Sequence, residues 1–284
     1  RGSTVISGDS STVAVLINDV KQCIIKDLTI RGGSLGVRCN YGQVNLSNCR
    51  IQQNPGYAGV LGRYNSSVYL HDCIVTQNQY GVYIDRNSAL FIEKSEILDN
   101  EEDGVAIWYT STAHIKSCDI HGNGAGGIMV RAGSSLRISL SKLHGNHHSG
   151  IDVTQLSTIA LRGGNNIYGN ADHSGWRAGI CACHSSNVVA TLEDTTDDVD
   201  ITSNNGHGLF ISNNSSLFLE SGTIRKNEGH GIALHLNSTA QLEDVGITEN
   251  GGYGVECGGK QSYLATISST SIGFNTLGPT HNCQ

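Results

Sequence analysis

A short phrase, glycine followed by apolar, any, apolar, any, returns along this chain at a nearly fixed interval. It begins at Gly36 (GVRCN), Gly59 (GVLGR), Gly81 (GVYID), Gly104 (GVAIW), Gly127 (GIMVR), Gly150 (GIDVT), Gly179 (GICAC), Gly208 (GLFIS), Gly231 (GIALH) and Gly254 (GVECG). Successive spacings are 23, 22, 23, 23, 23, 29, 29, 23 and 23 residues, and a degenerate copy starts at Ala14. One unit of this length is too short to bury its own apolar face, so it must stack on copies of itself.

A second phrase follows each first one, as in SALFIEKSEILDN from Ser88 to Asn100 or STAHIKSCDIHGN from Ser111 to Asn123. Its closing asparagine recurs at Asn54, Asn78, Asn100, Asn123, Asn146, Asn170, Asn204, Asn227, Asn250 and Asn275. Apolar and polar residues alternate with a period of two in both phrases, which marks short strands bounded by Gly, Asn or Ser. Stacked at ~4.8 Å per coil, such units form an all-β parallel solenoid of roughly ten to eleven coils of ~23 residues. An inward asparagine at a bend can then bond its copies above and below, satisfying backbone groups that the bend exposes. The whole of 1–284 reads as one domain, with longer turns at 171–178 and 184–203.

The GI-x-V strands and the I-x-x-N-x-x-x-G turns resemble the repeats of the pectate-lyase-like superfamily. They are similar also to the carbohydrate-type β-helix repeats of some F-box proteins and periplasmic copper-maturation proteins. The resemblance runs from Ala14 to about Asn275. It implies a single-stranded right-handed parallel β-helix, and often a carbohydrate cleft on the sheet built from the first phrase.

Composition narrows the partners. Charged residues are 15%, aromatics 6%, prolines 2 and glycines 36, with a net charge of −7. That is too apolar for a disordered chain, and without a basic cluster it argues against nucleic acid. No run of about 18 apolar residues is present, so no membrane insertion is expected. The abrupt opening at Arg1 reads as a mature or trimmed chain. The nine cysteines contain no CxxC pair, and Cys181-Ala-Cys183 is too tight for ordinary structural zinc. They read as small core residues or as one to three disulfides of a secreted or cell-surface protein. Sequons at Asn45, Asn65, Asn213, Asn214 and Asn237 are glycosylation candidates that fit such a location. Asn65, Asn87, Asn214 and Asn237 also share one repeat position, which is turn chemistry.

In each first strand, positions one and three after glycine should point inward, and positions two and four outward. The outward set includes Arg63, Tyr83, Asp85, Trp108, Arg131 and Asp152, apt for a sugar chain through ring stacking and guanidinium–carboxylate forks. Beside them the longer turn carries Asp172, His173, Trp176 and Arg177, and breaks in a repeat are where solenoids place function. The acidic residues Asp194, Asp197, Asp198 and Asp200 read as a solvated turn, with Ca2+ as the alternative; no other cofactor or metal is expected.

The signs of catalysis are weaker. Asp85 and Asp152 lie three coils apart, about 14 Å or more, too far to share one glycosidic bond. Glu102 or Asp103, in the turn before Trp108, could approach Asp85, although nothing in the repeat fixes this. Gly206-His207-Gly208 and Gly229-His230-Gly231 resemble a motif of polygalacturonase-type hydrolases, yet the preceding coil (GICACHS) lacks the aspartates that should accompany it. Tyr80-Gly81-Val82-Tyr83 begins like the Tyr-Gly-x-Asp-Pro-His run of mannuronan epimerases and then departs. His121, His144, His147 and His148 read as surface turn histidines. Nearly minimal turns in most coils favour a non-catalytic extracellular rod that binds glycan or protein, or self-associates end to end. The alternative is a polysaccharide lyase, hydrolase or epimerase. Its catalytic residues would come from Asp85, Arg131, Asp152 and His173, and its substrate-binding residues from Arg63, Tyr83, Asp85, Trp108, Arg131, Asp152, Trp176 and Arg177.

Overall fold

A computed structural model of the chain describes residues 4–171, 177–191, 198–259, 261–266 and 269–283. The strands form three parallel sheets of 12, 12 and 11 strands, and each coil gives one strand to each sheet. Tyr80–Ile84, for example, pairs with Ala58–Arg63 on one side and Val105–Trp108 on the other. The stack holds eleven complete coils plus the strands Ser271–Gly273 and Gly278–His281. The repeat therefore runs slightly beyond both ends of the segment legible in sequence.

The first phrase builds one sheet, here the glycine sheet. The second phrase is two strands, not one: Ala89–Glu93 in a serine sheet and Glu96–Leu98 in an asparagine sheet. In the coil that contains Tyr80–Ile84 the three corners pass through left-handed backbone, at Arg86 and Asn87, at Lys94 and at Asp99, with φ between 50° and 64°. Asn and Asp enter that region more readily than other side chains. The sequon residues Asn65, Asn213, Asn214 and Asn237 all sit at such corners, with φ of 56–62°. Asn45 differs, lying in strand Gln43–Ser47 with its Oδ1 accepting from Gln43 Nε2.

Inward residues stack in columns. Val60, Val82, Val105, Ile128 and Ile151 are fully buried and belong to one continuous core running the length of the coils. At the corner after the asparagine sheet, each Asn carbonyl accepts from the copy one coil earlier. Asn123 donates its backbone N–H (3.1 Å) and its Nδ2 (2.9 Å) to Asn146 Oδ1, and Asn146 repeats this with Asn170. The amide also donates to a core carbonyl, as from Asn146 Nδ2 to Ile120 O. This crowding dictates the recurring glycine. A β-carbon on Gly81 would lie 2.4 Å from Gly104 O and 2.9 Å from Asn100 Nδ2.

Serine serves the corner before the serine sheet, where Ser88 N–H donates to Ser111 Oγ and Ser111 N–H to Ser134 Oγ. A third buried column at the next corner mixes cysteine with serine. Cys73 N–H donates to Ser95 Oγ, and Cys118 N–H to Ser141 Oγ. Cys257 and Cys283 form a disulfide that ties the last described strand to Tyr253–Gly258. The 184–203 stretch is not a single turn: it contains the strands Asn187–Thr191 and Val199–Thr202. Among the described residues, no helix is long and apolar enough to cross a membrane.

Candidate functional site

The outer face of the glycine sheet holds the polar residues singled out by the repeat, but facing outward there does not mean facing solvent. Arg63 forks onto Asp85, with Nε 3.0 Å from Oδ1 and Nη2 2.9 Å from Oδ2. The Asp85 side chain is 2% exposed, and its hydrogen bonds, then its charge, raise the Arg63 guanidinium above its ordinary value against the loss of water. Asp85 is thus an enclosed, doubly bonded carboxylate, which corrects its reading as a solvent-facing catalytic group. Tyr83 is equally enclosed. Tyr57, Tyr80 and Trp108 surround its ring at centroid distances of 5.2–5.5 Å, and burial pushes its phenol well above the ordinary range. Its body is the floor of an aromatic patch and offers no free face to a sugar.

Trp108 forms the upper margin of that patch. The Arg131 guanidinium lies 5.1 Å from its ring centroid, and Arg131 Nε donates to Gln155 Oε1 at 3.0 Å. One coil further, the positions facing outward are Asp152 and Thr154, and beyond those Cys181 and Cys183. Cys183 is lowered to about 5, first by the neighbouring Cys181 thiol, with Thr154 and His184 also bonding its sulfur.

The acid that approaches Asp152 is Asp103, along the stack. Gly126 stands directly between them. Asp103 Oδ1 accepts from Gly126 N–H at 2.8 Å. A β-carbon built on Gly126 would lie 3.1 Å from Asp103 Oδ1 and 3.3 Å from Asp152 Oδ2. The two carboxyl oxygens are therefore at most 6.4 Å apart, an upper bound compatible with the roughly 5–5.5 Å separation of retaining glycosidases.

Burial raises both acids. Asp103 is pushed up to about 7 by loss of water and by the charge of Asp152, against the pull of the Gly126 N–H. Asp152 is pushed up to about 6 by loss of water, offset by a hydrogen bond from Ser149 and the positive charge of Arg177. Tyr80 borders the pair and is raised to about 12 by burial and then by the Asp103 charge. Arg177 is fixed by a bond from Nη1 to His147 O. The structure therefore gathers Asp103, Asp152, Arg177, Trp108 and Arg131 along one face. A signal was present in the sequence: Gly126-Gly127 doubles the glycine, and the first of the two occupies Asp103's own outward column.

Other expectations separate from this site. His173 and Trp176, with Asp172, Asp194 and Asp197, lie outside the described residues. Asp198 accepts from Ser221 Oγ at 2.6 Å, and Asp200 is on strand Val199–Thr202 of the asparagine sheet. His207 and His230 of the Gly-His-Gly runs stack on each other, His230 stacks on Tyr253, and Tyr253 on His281. Their Nδ1 atoms accept backbone N–H groups from His230 and Tyr253. They are acceptors that tie coils together, so the resemblance to a hydrolase motif there is one of spelling.

A family model described as a right-handed beta helix region matches residues 13–172 and 103–277. Among solved structures, a mutant of the periplasmic alginate epimerase AlgG superimposes with a TM-score of 0.66 at 14% identity, covering 90% of this chain and 76% of that one. The enzymatically active domain of tailspike protein 2 from bacteriophage CBA120 gives 0.53 at 12% identity, covering 91% of this chain and 43% of the other. The catalytic domain of Agl-KA gives 0.52 at 13%, covering 95% and 62%. No curated protein is a significant match to the sequence.

Proposed function

This chain belongs to the right-handed β-helix family, and from that premise we propose that its glycine-sheet face is the active site of a glycan-cleaving enzyme working through the Asp103–Asp152 carboxyl pair. The single observation that carries the reading is the approach of two raised carboxyls across the vacant side-chain position of Gly126. With values near 7 and 6, the pair holds one proton between them around neutral pH. Asp103, the more buried, keeps that proton and delivers it to the departing glycosidic oxygen. Asp152, ionised and beside Arg177, activates water or receives the sugar carbon. Arg131 and Arg177 favour a polysaccharide carrying carboxylates, and Trp108 supplies an apolar surface for a pyranose ring. This replaces the non-catalytic rod as the best reading, because a merely structural face gains nothing from two carboxyls held at a desolvation cost. The disulfide between Cys257 and Cys283 supports secretion into an oxidising compartment.

The test is a reducing-end assay over polyuronates and neutral glycans with the wild-type chain and with Asp103→Asn and Asp152→Asn. New ends from an acidic glycan, lost in both variants, are expected. No product from any glycan, or product unaffected in both variants, sinks the reading.

A further inference from the structure

A second cluster lies on a different face, around the middle of the asparagine sheet. Strands Glu96–Leu98, Asp119–His121 and Lys142–His144 place Glu96, Asp119 and Lys142 in one outward column, and Leu98, His121 and His144 in the next. The two imidazoles are stacked, 4.7 Å apart and nearly parallel, and Tyr168 stacks on His144 in turn. These histidines are thus strand residues in register, which corrects their reading as scattered turn histidines. Both rings aim Nε2 at the carboxylate column. His121 Nε2 is 3.3 Å from Glu96 Oε1, and His144 Nε2 is 3.0 Å from Asp119 Oδ1.

We propose that Asp119, His121 and His144 form a binding site for a divalent transition-metal ion of the zinc type, with Glu96 available as a fourth donor. One donor atom from each of the three lies within 4.8 Å of the others. Bonds of ~2.0–2.1 Å in a tetrahedral site put donors ~3.3 Å apart, so the side chains need to close by up to about 1.5 Å. The side chains have that freedom, since His121 and His144 are 24% and 26% exposed and Asp119 is 40% exposed. Asp119 Oδ1 supplies an independent reason. It is shielded from water, and what faces it is the His144 imidazole nitrogen 3.0 Å away. A carboxylate oxygen screened from water is costly unless it meets a positive charge, and a bound cation supplies one whether or not that imidazole is protonated. Imidazole with carboxylate donors suits Zn2+, Ni2+, Co2+ or Cu2+ better than Ca2+ or Mg2+. Lys142 stands next above Asp119 in its column and brings a like charge near a bound cation.

The site is testable with the untagged chain and metal salts alone. Titration calorimetry with zinc chloride, and visible absorption with Co2+, should show one saturable ion. Binding should weaken as pH falls and protons compete for the imidazoles. His121→Ala and His144→Ala should each remove it without shifting the thermal melt of the metal-free chain by more than a few degrees. Lys142→Ala should tighten it. Absence of saturable binding overturns the proposal. So does binding that survives the double histidine variant but disappears in Cys181→Ser/Cys183→Ser, which would place the ion on the thiols beside His184.

Discussion

Asp103 and Asp152 meet through the space where Gly126 carries no side chain, although they sit on coils two steps apart and in different outward columns. The consequence is a substitution that separates chemistry from folding. Gly126 has no left-handed backbone requirement, and a β-carbon there would press on Asp103 Oδ1 at 3.1 Å and Asp152 Oδ2 at 3.3 Å. Gly126→Ala should therefore cut glycan cleavage at least tenfold while moving the denaturation midpoint little. Paired activity and urea melts check this. Wild-type activity in the alanine variant would mean that the gap is not used.

The two acids also set opposite limbs of a pH profile. Activity should be greatest between about 6 and 7, falling below as Asp152 protonates and above as Asp103 ionises. Stability follows the same groups with a definite sign. Asp103 rises from its ordinary 3.8 to about 7 on folding, so its folded form prefers the proton. The penalty for ionising it grows as pH climbs from about 4 to 7 and is complete above that. Asp103→Asn should then be more stable than wild type at pH 8, by a few kcal/mol at most given ~1.4 kcal/mol per unit, and equal to it near pH 3.5. Chemical denaturation at the two pH values decides it.

Acid should loosen the other end of the rod. His207 is held down from 6.5 to about 4 by burial and by neighbouring histidines, and His230 is lowered for the same first reason. Each must stay neutral at Nδ1 to accept a backbone N–H. Their contribution is present above about 6.5 and is lost as pH falls toward 4. Amide exchange measured across that range should show protection of the His230 and Tyr253 N–H groups falling well before that of the coils around Val82.

Asn146→Ala removes the acceptor of two bonds from Asn123 and the donor to Ile120 O, all buried. An orphaned buried N–H costs about 1–3 kcal/mol, and the cavity adds to it. A loss of about 3 kcal/mol or more in equilibrium unfolding is expected. The same change at Asn275 removes the acceptor of two bonds from Asn250 and the donor to Ile247 O, and should cost a comparable amount.

Reducing the Cys257–Cys283 bond opens a loop of 26 residues. Chain entropy alone assigns such a loop about 3–4 kcal/mol. Because the bond fastens only the last described strand, Cys283→Ser should release Gly278–His281 to rapid exchange while leaving the central coils unchanged.

The corner residues show what can be read without coordinates. Asn123, Asn146 and Gly127 recur because every coil must turn at the same place and bond the next coil there, so their spacing alone states the coil and its stacking. The third sheet was harder to see, since Ala89–Glu93 and Glu96–Leu98 keep one apolar–polar alternation across the bend at Lys94. The outward face was legible as a set of residues and not as a surface. Tyr83 and Asp85 are outward by count, yet Tyr57, Tyr80 and Arg63 from their own and the preceding coil close over them.

Sequence by itself determined the solenoid, the inward columns and the buried corner ladders, because those depend on one periodicity that every coil repeats. Only the tertiary structure decided which outward groups meet. Asp103 reaching Asp152, or His144 reaching Asp119, depends on side-chain lengths, on vacancies such as Gly126 and on diagonal offsets between neighbouring coils. Those are properties of particular neighbours in space, and a repeat fixes only the average one.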